Sequence, residues 1–208
     1  MSNEPDIDFD TFNDGAEWKT FYGDVTEAIP TNAPEPRVKS VDLRMWVDSD
    51  HAGDKMTRRS HTGYFIFLNT ALIDWLSKKQ ATIEGSVFGA EFVAMKTGVE
   101  ALRGIRYKLR MMGVPLTGPT YIYGDNMSVI YNTSRPESNL KKKINSICYH
   151  AVCEAVASGE CLTTHCETGD NYSNMMTKVL YGQKKRDNAS CILCDILDHE
   201  DGPETAKG

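Results

Sequence analysis

The 208-residue chain contains no run of 18 apolar residues, so no segment is long enough to cross a bilayer as a helix and no membrane partner is expected. Its opening segment, MSNEPDIDFDTFND, is acidic and lacks an apolar stretch, so a secretory signal is not expected there. Cysteine is sparse, six in the whole chain, which excludes a disulfide scaffold and makes a reduced intracellular protein the expectation, cytoplasm and nucleus undistinguished. Glycine and proline, 16 and 8 residues, stay far below collagen-like or low-complexity levels, and no internal repeat or sustained heptad pattern is present. What remains is ordinary globular composition, 40% apolar and 25% charged, enough for one domain with a core and two tails.

The net charge of −6 argues against a polyanionic partner until its distribution is considered. Residues 1–42 hold ten acids against Lys19, Arg37 and Lys39, and residues 187–208 hold six acids against Lys207. The body between them is therefore cationic, with 19 Lys and Arg against 13 Asp and Glu. A cationic body is compatible with nucleic acid without being specific for it.

Residues 1–42 read as an acidic, largely irregular leader that ends in the Pro-studded IPTNAPEPR. LRMWVD from Leu43, TGYFIFL (62–68), the run from Ala71, TYIYG (120–124) and CLTTHC (161–166) are strand candidates. Only Asn69-Thr70 separates the second run from the third, which predicts a tight hairpin. Between Ser86 and Met112 the residues Phe88, Phe92, Met95, Val99, Leu102 and Leu109 recur at helical intervals, ending at Gly113. Shorter helices are expected over 127–133, 145–157 and 172–180. This order predicts an α/β fold, a mixed sheet with helices packed on it.

Three carboxylates fall where packing does not favour them. Asp48 ends the first strand, in WVDSDHAGD, and Asp125 follows the fourth, in YIYGDN. Glu91 lies inside the long helix, and on a wheel of 100° per residue it falls about 40° from Met95, at the edge of the apolar stripe. A carboxylate in low dielectric costs several kcal/mol unless it is paired or neutralised. Three of them suggest a shared cation, and oxygen ligands without thiolate favour Mg2+ or Mn2+. The competing reading makes Asp48 and Asp125 turn residues and Glu91 a rim residue.

The ordered segments WVDSDHAGD, TRRSHTGYFIFL, IDWLSKKQATIE, GAEFVAMKTGVEAL, YIYGDNMSVI, KKKINSICYH and NMMTKVL resemble the ribonuclease H domain of copia-type retrotransposon polyproteins. The resemblance implies a ribonuclease H-like fold over 43–181, a five-stranded mixed sheet flanked by helices, with a charged tail over 182–208. It implies metal-dependent hydrolysis of the RNA strand of RNA–DNA hybrids, two Mg2+ ions with Mn2+ as a substitute, and the polymerase domain of a parent polyprotein as a partner. It assigns Asp48, Glu91 and Asp125 as catalytic metal ligands and Asp50 as a weaker candidate.

The fourth acid of the family stands in a segment like ADLLTK. Here that segment is SNMMTK, so Asn174 takes its place, which predicts weaker binding of a second metal and supports the alternative of a non-catalytic remnant that keeps the fold. Asp170 is a substitute if its segment is helical. Arg58, Arg59, Lys78, Lys79 and the run Lys141 to Lys143 are candidate phosphate contacts. Gln80, Asn126 and Ser128 are candidates for the minor groove or ribose 2′-hydroxyls, with a helix-capping role as the competing reading of Asn126 and Ser128. His150 is expected to pack or hydrogen-bond rather than catalyse. The charges on the far half of the long helix, Arg103, Arg106, Lys108 and Arg110, are expected to form a solvated face. Cys191-x-x-Cys194 is not expected to bind zinc, since no second knuckle accompanies it closely.

Overall fold

The computed structural model describes residues 15–136, 146–179 and 182–194. The elements run α1 (Gly15–Tyr22), β1 (Leu43–Asp50), β2 (His61–Leu68), β3 (Ala71–Lys79), α2 (Val87–Met111), β4 (Thr120–Gly124), α3 (Met127–Ser134), α4 (Ser146–Ala157), β5 (Cys161–His165), α5 (Asn174–Thr177) and α6 (Gly182–Cys194). The strands form one sheet in the order β3-β2-β1-β4-β5. β1, β2 and β3 are mutually antiparallel, whereas β4 runs parallel to β1 and β5 parallel to β4. This is the five-stranded mixed sheet the resemblance implies.

The hairpin closes at the expected place, with Leu68 opposite Ala71. Asn69 takes a positive φ of 53°, and its side-chain oxygen accepts from the Asp42 amide. Such a turn favours Asn because its short polar side chain tolerates the left-handed region. α2 starts where Ser86 caps it, the hydroxyl accepting from the Gly89 amide at 3.1 Å. It stops at Gly113, whose φ of +75° suits glycine and lets the Gly113 and Val114 amides reach the Arg110 and Leu109 carbonyls.

Strand alternation gives the sheet two apolar faces. Met45 and Val47 of β1 and Tyr64 and Ile66 of β2 pack with Phe92, Met95, Val99 and Leu102 of α2 and with α4 behind it. Fully burying each such side chain contributes about 1.5–3 kcal/mol. On the other face Phe65, Phe67 and Trp46 pack with Tyr172, Met175 and Met176.

The described part of the acidic leader is tied to the domain: Trp18 is buried in the main core and Val41 bridges to Leu116. Two expectations are corrected. Of the charges at the far end of α2, Lys108 is exposed as expected but the three arginines are not a solvated face. Arg106, 3% exposed, makes a double hydrogen bond to Glu27 and donates to Gly118 O and Thr120 Oγ1, while Arg110 pairs with Glu27 and Arg103 with Glu160. Burial raises the Glu27 carboxyl, and the two guanidinium groups outweigh that and hold it below the ordinary range. The helix expected over 172–180 shrinks to Asn174–Thr177. Asn171 fixes the turn ahead of it by donating to the Val47 carbonyl and accepting from the Ser173 amide, and Lys178 is already extended. Beyond residue 181 the described part of the tail is helical, with Ile192 buried in the second cluster.

Candidate active site

Topology brings the chemistry to one end of the sheet. β1 and β4 run parallel with Trp46 beside Tyr123, so two residues further on Asp48 lies level with Asp125. The Asp50–His61 and His61–Lys79 pairs put the loop after β1, the end of β3 and the start of α2 at that same end. Open α/β sheets place their ligands at such carboxyl ends. A cleft of about 440 Å³ opens there, lined by Ser49, Asp50, His51, Glu91, Asp125 and Lys178, with Asn126, Met127 and Ser128 also along it.

Asp48, Glu91 and Asp125 each offer an oxygen to one cluster in which these atoms lie within 4.8 Å of one another. Among the described residues no other group of three His, Cys, Asp or Glu side chains converges in this way. Asp48 is 0% exposed and Glu91 8% exposed. Burial raises the Asp48 carboxyl, and Asp125 adds to the rise against the opposing Thr177 hydroxyl and Lys178 ammonium. Glu91 is pushed up to about 8, by burial first and then by Asp48 and Asp125. The buried Ser49 hydroxyl in the same cleft sits beside Glu91 and works against that rise. Crowded carboxylates, one with its charge suppressed, are a donor set of oxygens that fits a hard divalent cation.

These electrostatics have a sign that can be measured. In metal-free protein the folded chain retains a proton on Glu91 between about pH 4.5 and about 8, whereas the unfolded chain has lost it. The stability gained is complete below the lower value and declines as pH rises through the upper one, by at most about 1.4 kcal/mol per pH unit. Thermal melts in EDTA are therefore expected to fall from pH 5 toward 8 and then level off. A melting point that climbs across this interval would contradict the crowding of the three groups.

The supporting contacts come from α5. Thr177 Oγ1 donates to Asp48 Oδ2, and Lys178 Nζ lies 3.3 Å from Asp48 Oδ1. α5 approaches this closely because the residue opposite Asp48 in the ladder is Gly63. A Cβ on Gly63 would lie 2.6 Å from Met176 Cβ and 3.1 Å from the Ser173 carbonyl. Gly63→Ala is expected to push α5 and Thr177 away from Asp48 and to cost about 1–3 kcal/mol. A melting shift of roughly 2–4 °C per kcal/mol is the readout, and an unchanged melt would show that α5 yields freely.

The remaining sequence candidates divide. Asp50 lines the cleft but is not one of the three converging carboxylates, and Asp170 is exposed and outside them. Asn174 is buried and does not offer its oxygen to the cluster directly. Its Nδ2 donates to the Thr168 and Asn171 carbonyls at 2.8 and 3.0 Å, and its Oδ1 accepts from Lys178 at 2.6 Å. Arg58, Arg59 and Lys78 are exposed at the cleft end of the sheet. Lys79 is there too, but its ammonium is paired with Asp54. Gln80 is corrected outright: it is 5% exposed and donates to Thr62 Oγ1 and the Ala90 carbonyl, tying β2 to α2 rather than facing a ligand.

Asn126 caps α3, accepting from the Ser128 and Val129 amides, while Ser128 itself stays exposed along the cleft. His150 shares a hydrogen bond with the Tyr22 hydroxyl. Cys153 and Cys161 are free thiols pushed up to about 12 by burial, which makes them inert. Lys141 to Lys143 and the side chains of Cys191 and Cys194 lie outside the described residues. Sequence reasoning missed Thr177 and Lys178, whose only signal was their place next to the segment containing Asn174.

No protein-family model matches the chain. Over 141 residues, 68% of the chain, it is 32% identical to the retrovirus-related Pol polyprotein from transposon RE1 of Arabidopsis thaliana. Over 140 residues it is 31% identical to the corresponding polyprotein from transposon TNT 1-94 of Nicotiana tabacum, 66% of the chain being covered. In each case the chain spans about 10% of the length of the curated relative. Among solved structures it is similar to the N-terminal RNase H domain of a Mycobacterium tuberculosis protein, with a TM-score of 0.51 at 10% identity over 76% of this chain and 100% of that one. It is likewise similar to RNase H1 from Halobacterium salinarum, with a TM-score of 0.50 at 10% identity over 65% of this chain and 94% of that one. At such identities the structural likeness speaks for the fold alone.

Proposed function

This chain belongs with the copia-type transposon Pol polyproteins and carries a ribonuclease H fold, and from that premise we propose that it cuts the RNA strand of RNA–DNA hybrids with Mg2+ held by Asp48, Glu91 and Asp125. The observation that carries the reading is the convergence of those carboxylates, from two parallel strands and the helix over them, in one cleft. When bound, the cation would supply acidity to a water and stabilisation to the leaving oxygen of the phosphodiester. Mn2+ is the expected substitute.

The protein's own groups prepare that site. Thr177 pins one oxygen of Asp48, and the alternation of β1 fixes the direction of its carboxylate. Asp125 enters from the strand alongside, and Glu91 from the second turn of α2. Arg58, Arg59 and Lys78 at the same end of the sheet are placed to meet phosphates on either side of a scissile bond, positioning the hybrid without reading its sequence. Ser128, exposed along the cleft, is placed to meet a ribose hydroxyl, the group that separates RNA from DNA. The polymerase domain of a parent polyprotein would extend the hybrid-binding surface.

The test is cleavage of an end-labelled RNA in a hybrid by the full chain in Mg2+ or Mn2+. Internal cuts in the RNA strand, absent in EDTA and absent from the DNA strand, are the expected result. No cutting at any concentration of either ion would overturn the proposal.

A further inference from the structure

The cleft that holds the acidic cluster also holds a cation belonging to the chain. Lys178 Nζ lies 2.6 Å from Asn174 Oδ1 and 3.3 Å from Asp48 Oδ1, and the Lys178 amide donates to the Asn174 carbonyl at 2.9 Å. Both the backbone and the side chain of the lysine are therefore held by Asn174. The orientation of that amide is not free, because its NH2 group donates to two backbone carbonyls, Thr168 and Asn171, so the oxygen must face the ammonium. Asp48 is shared: Thr177 takes Oδ2, and Lys178 reaches Oδ1.

We infer that Lys178 is a built-in counter-cation of the cluster, a positioning residue tethered by Asn174, and that a divalent cation gains Asp48 Oδ1 by displacing it. This rests on the reading of the cluster as a cation site. A flexible four-carbon stem and a side chain 40% exposed allow the ammonium to swing into solvent when displaced. Asn174 then has a purpose that an aspartate would not serve in the same pose: it holds the lysine over Asp48 while satisfying two carbonyls that a carboxylate would repel. Metal-free protein is stabilised by the lysine, and cation binding is weakened by it, so the two effects have opposite signs.

Those opposite signs define the experiment. Mn2+ binding to the full chain, without nucleic acid, is measured by titration calorimetry, and melting in EDTA is measured alongside, for the natural chain, Lys178→Met and Lys178→Arg. Lys178→Met is expected to bind Mn2+ about tenfold more tightly, the partial exposure of the pair having reduced its strength, and to melt lower in EDTA. Lys178→Arg, which keeps the charge, is expected to stay close to the natural affinity. A lysine that only braced the fold would lower stability without tightening Mn2+ binding, so unchanged or weaker binding in Lys178→Met overturns the inference. If that variant does not fold in EDTA, Lys178→Gln supplies the same comparison. A natural chain that binds no Mn2+ at all would overturn the cation-site reading beneath it, whereas binding that is indifferent to Lys178 overturns the role of the lysine alone.

Discussion

Asp48→Asn is expected to reduce cleavage of an RNA–DNA hybrid by about 10³-fold or more, equivalent to roughly 4 kcal/mol of barrier. The substitution is close to isosteric. An asparagine oxygen can still accept from Thr177, so that hydrogen bond survives while the central charge and the Lys178 contact at the other oxygen are lost. Asp48 is the group around which the site is arranged: it is fully buried, level with Asp125 across the parallel pair, and one of the two carboxylates that add to burial in pushing Glu91 up to about 8. Removing a buried carboxylate charge from this crowded cluster relieves desolvation and repulsion in the metal-free protein, so the same variant is expected to melt in EDTA no lower than the natural chain. Functional sites commonly carry such tension between activity and stability. The measurement pairs single-turnover cleavage with a thermal melt, and cleavage within tenfold of the natural rate would exclude Asp48 from the chemistry.

Asn174→Asp is expected to destabilise the protein by about 3 kcal/mol and not to raise cleavage. From the sequence alone, this substitution restores a missing acid and promises a gain. The geometry reverses the expectation, because the side chain is buried and its NH2 group donates to the Thr168 and Asn171 carbonyls. A carboxylate in that pose would face two carbonyl oxygens with no proton to offer either, and its attraction to Lys178 would recover only part of the loss. Denaturant melts together with initial cleavage rates decide the matter. Faster cleavage with an unaltered melt would mean that the native site is simply short of one acid.

How much of this was legible in the sequence differs from element to element. α2 was readable almost to the residue, because Phe88 to Leu109 keep helical spacing over more than six turns and Ser86 and Gly113 mark the two ends. The hairpin was readable because Asn69-Thr70 offers only one close turn between two apolar runs. Asp48, Glu91 and Asp125 could be singled out because a carboxylate at the edge of an apolar pattern conflicts with local burial, and a sequence displays such conflicts.

Contacts between distant segments were not legible. Nothing local to Arg106 indicates that Glu27, far back in an acidic leader, will meet it, and nothing local to Gln80 shows that its amide will close onto Ala90. The roles of Thr177 and Lys178 depend on how closely α5 lies on β2, which Gly63 decides from the opposite side of the ladder. Periodicity also overextended the helix near 172–180, since apolar spacing cannot report that Asn171 has already committed its side chain to the Val47 carbonyl.

The most direct measurement is the anomalous scattering of Mn2+ in crystals of the full chain. The expected result is a peak within ligand distance, about 2.0–2.2 Å, of oxygens from Asp48, Glu91 and Asp125 together. Density confined to other surface carboxylates, or an ion touching only one of the three, would contradict the shared site on which the proposed chemistry stands.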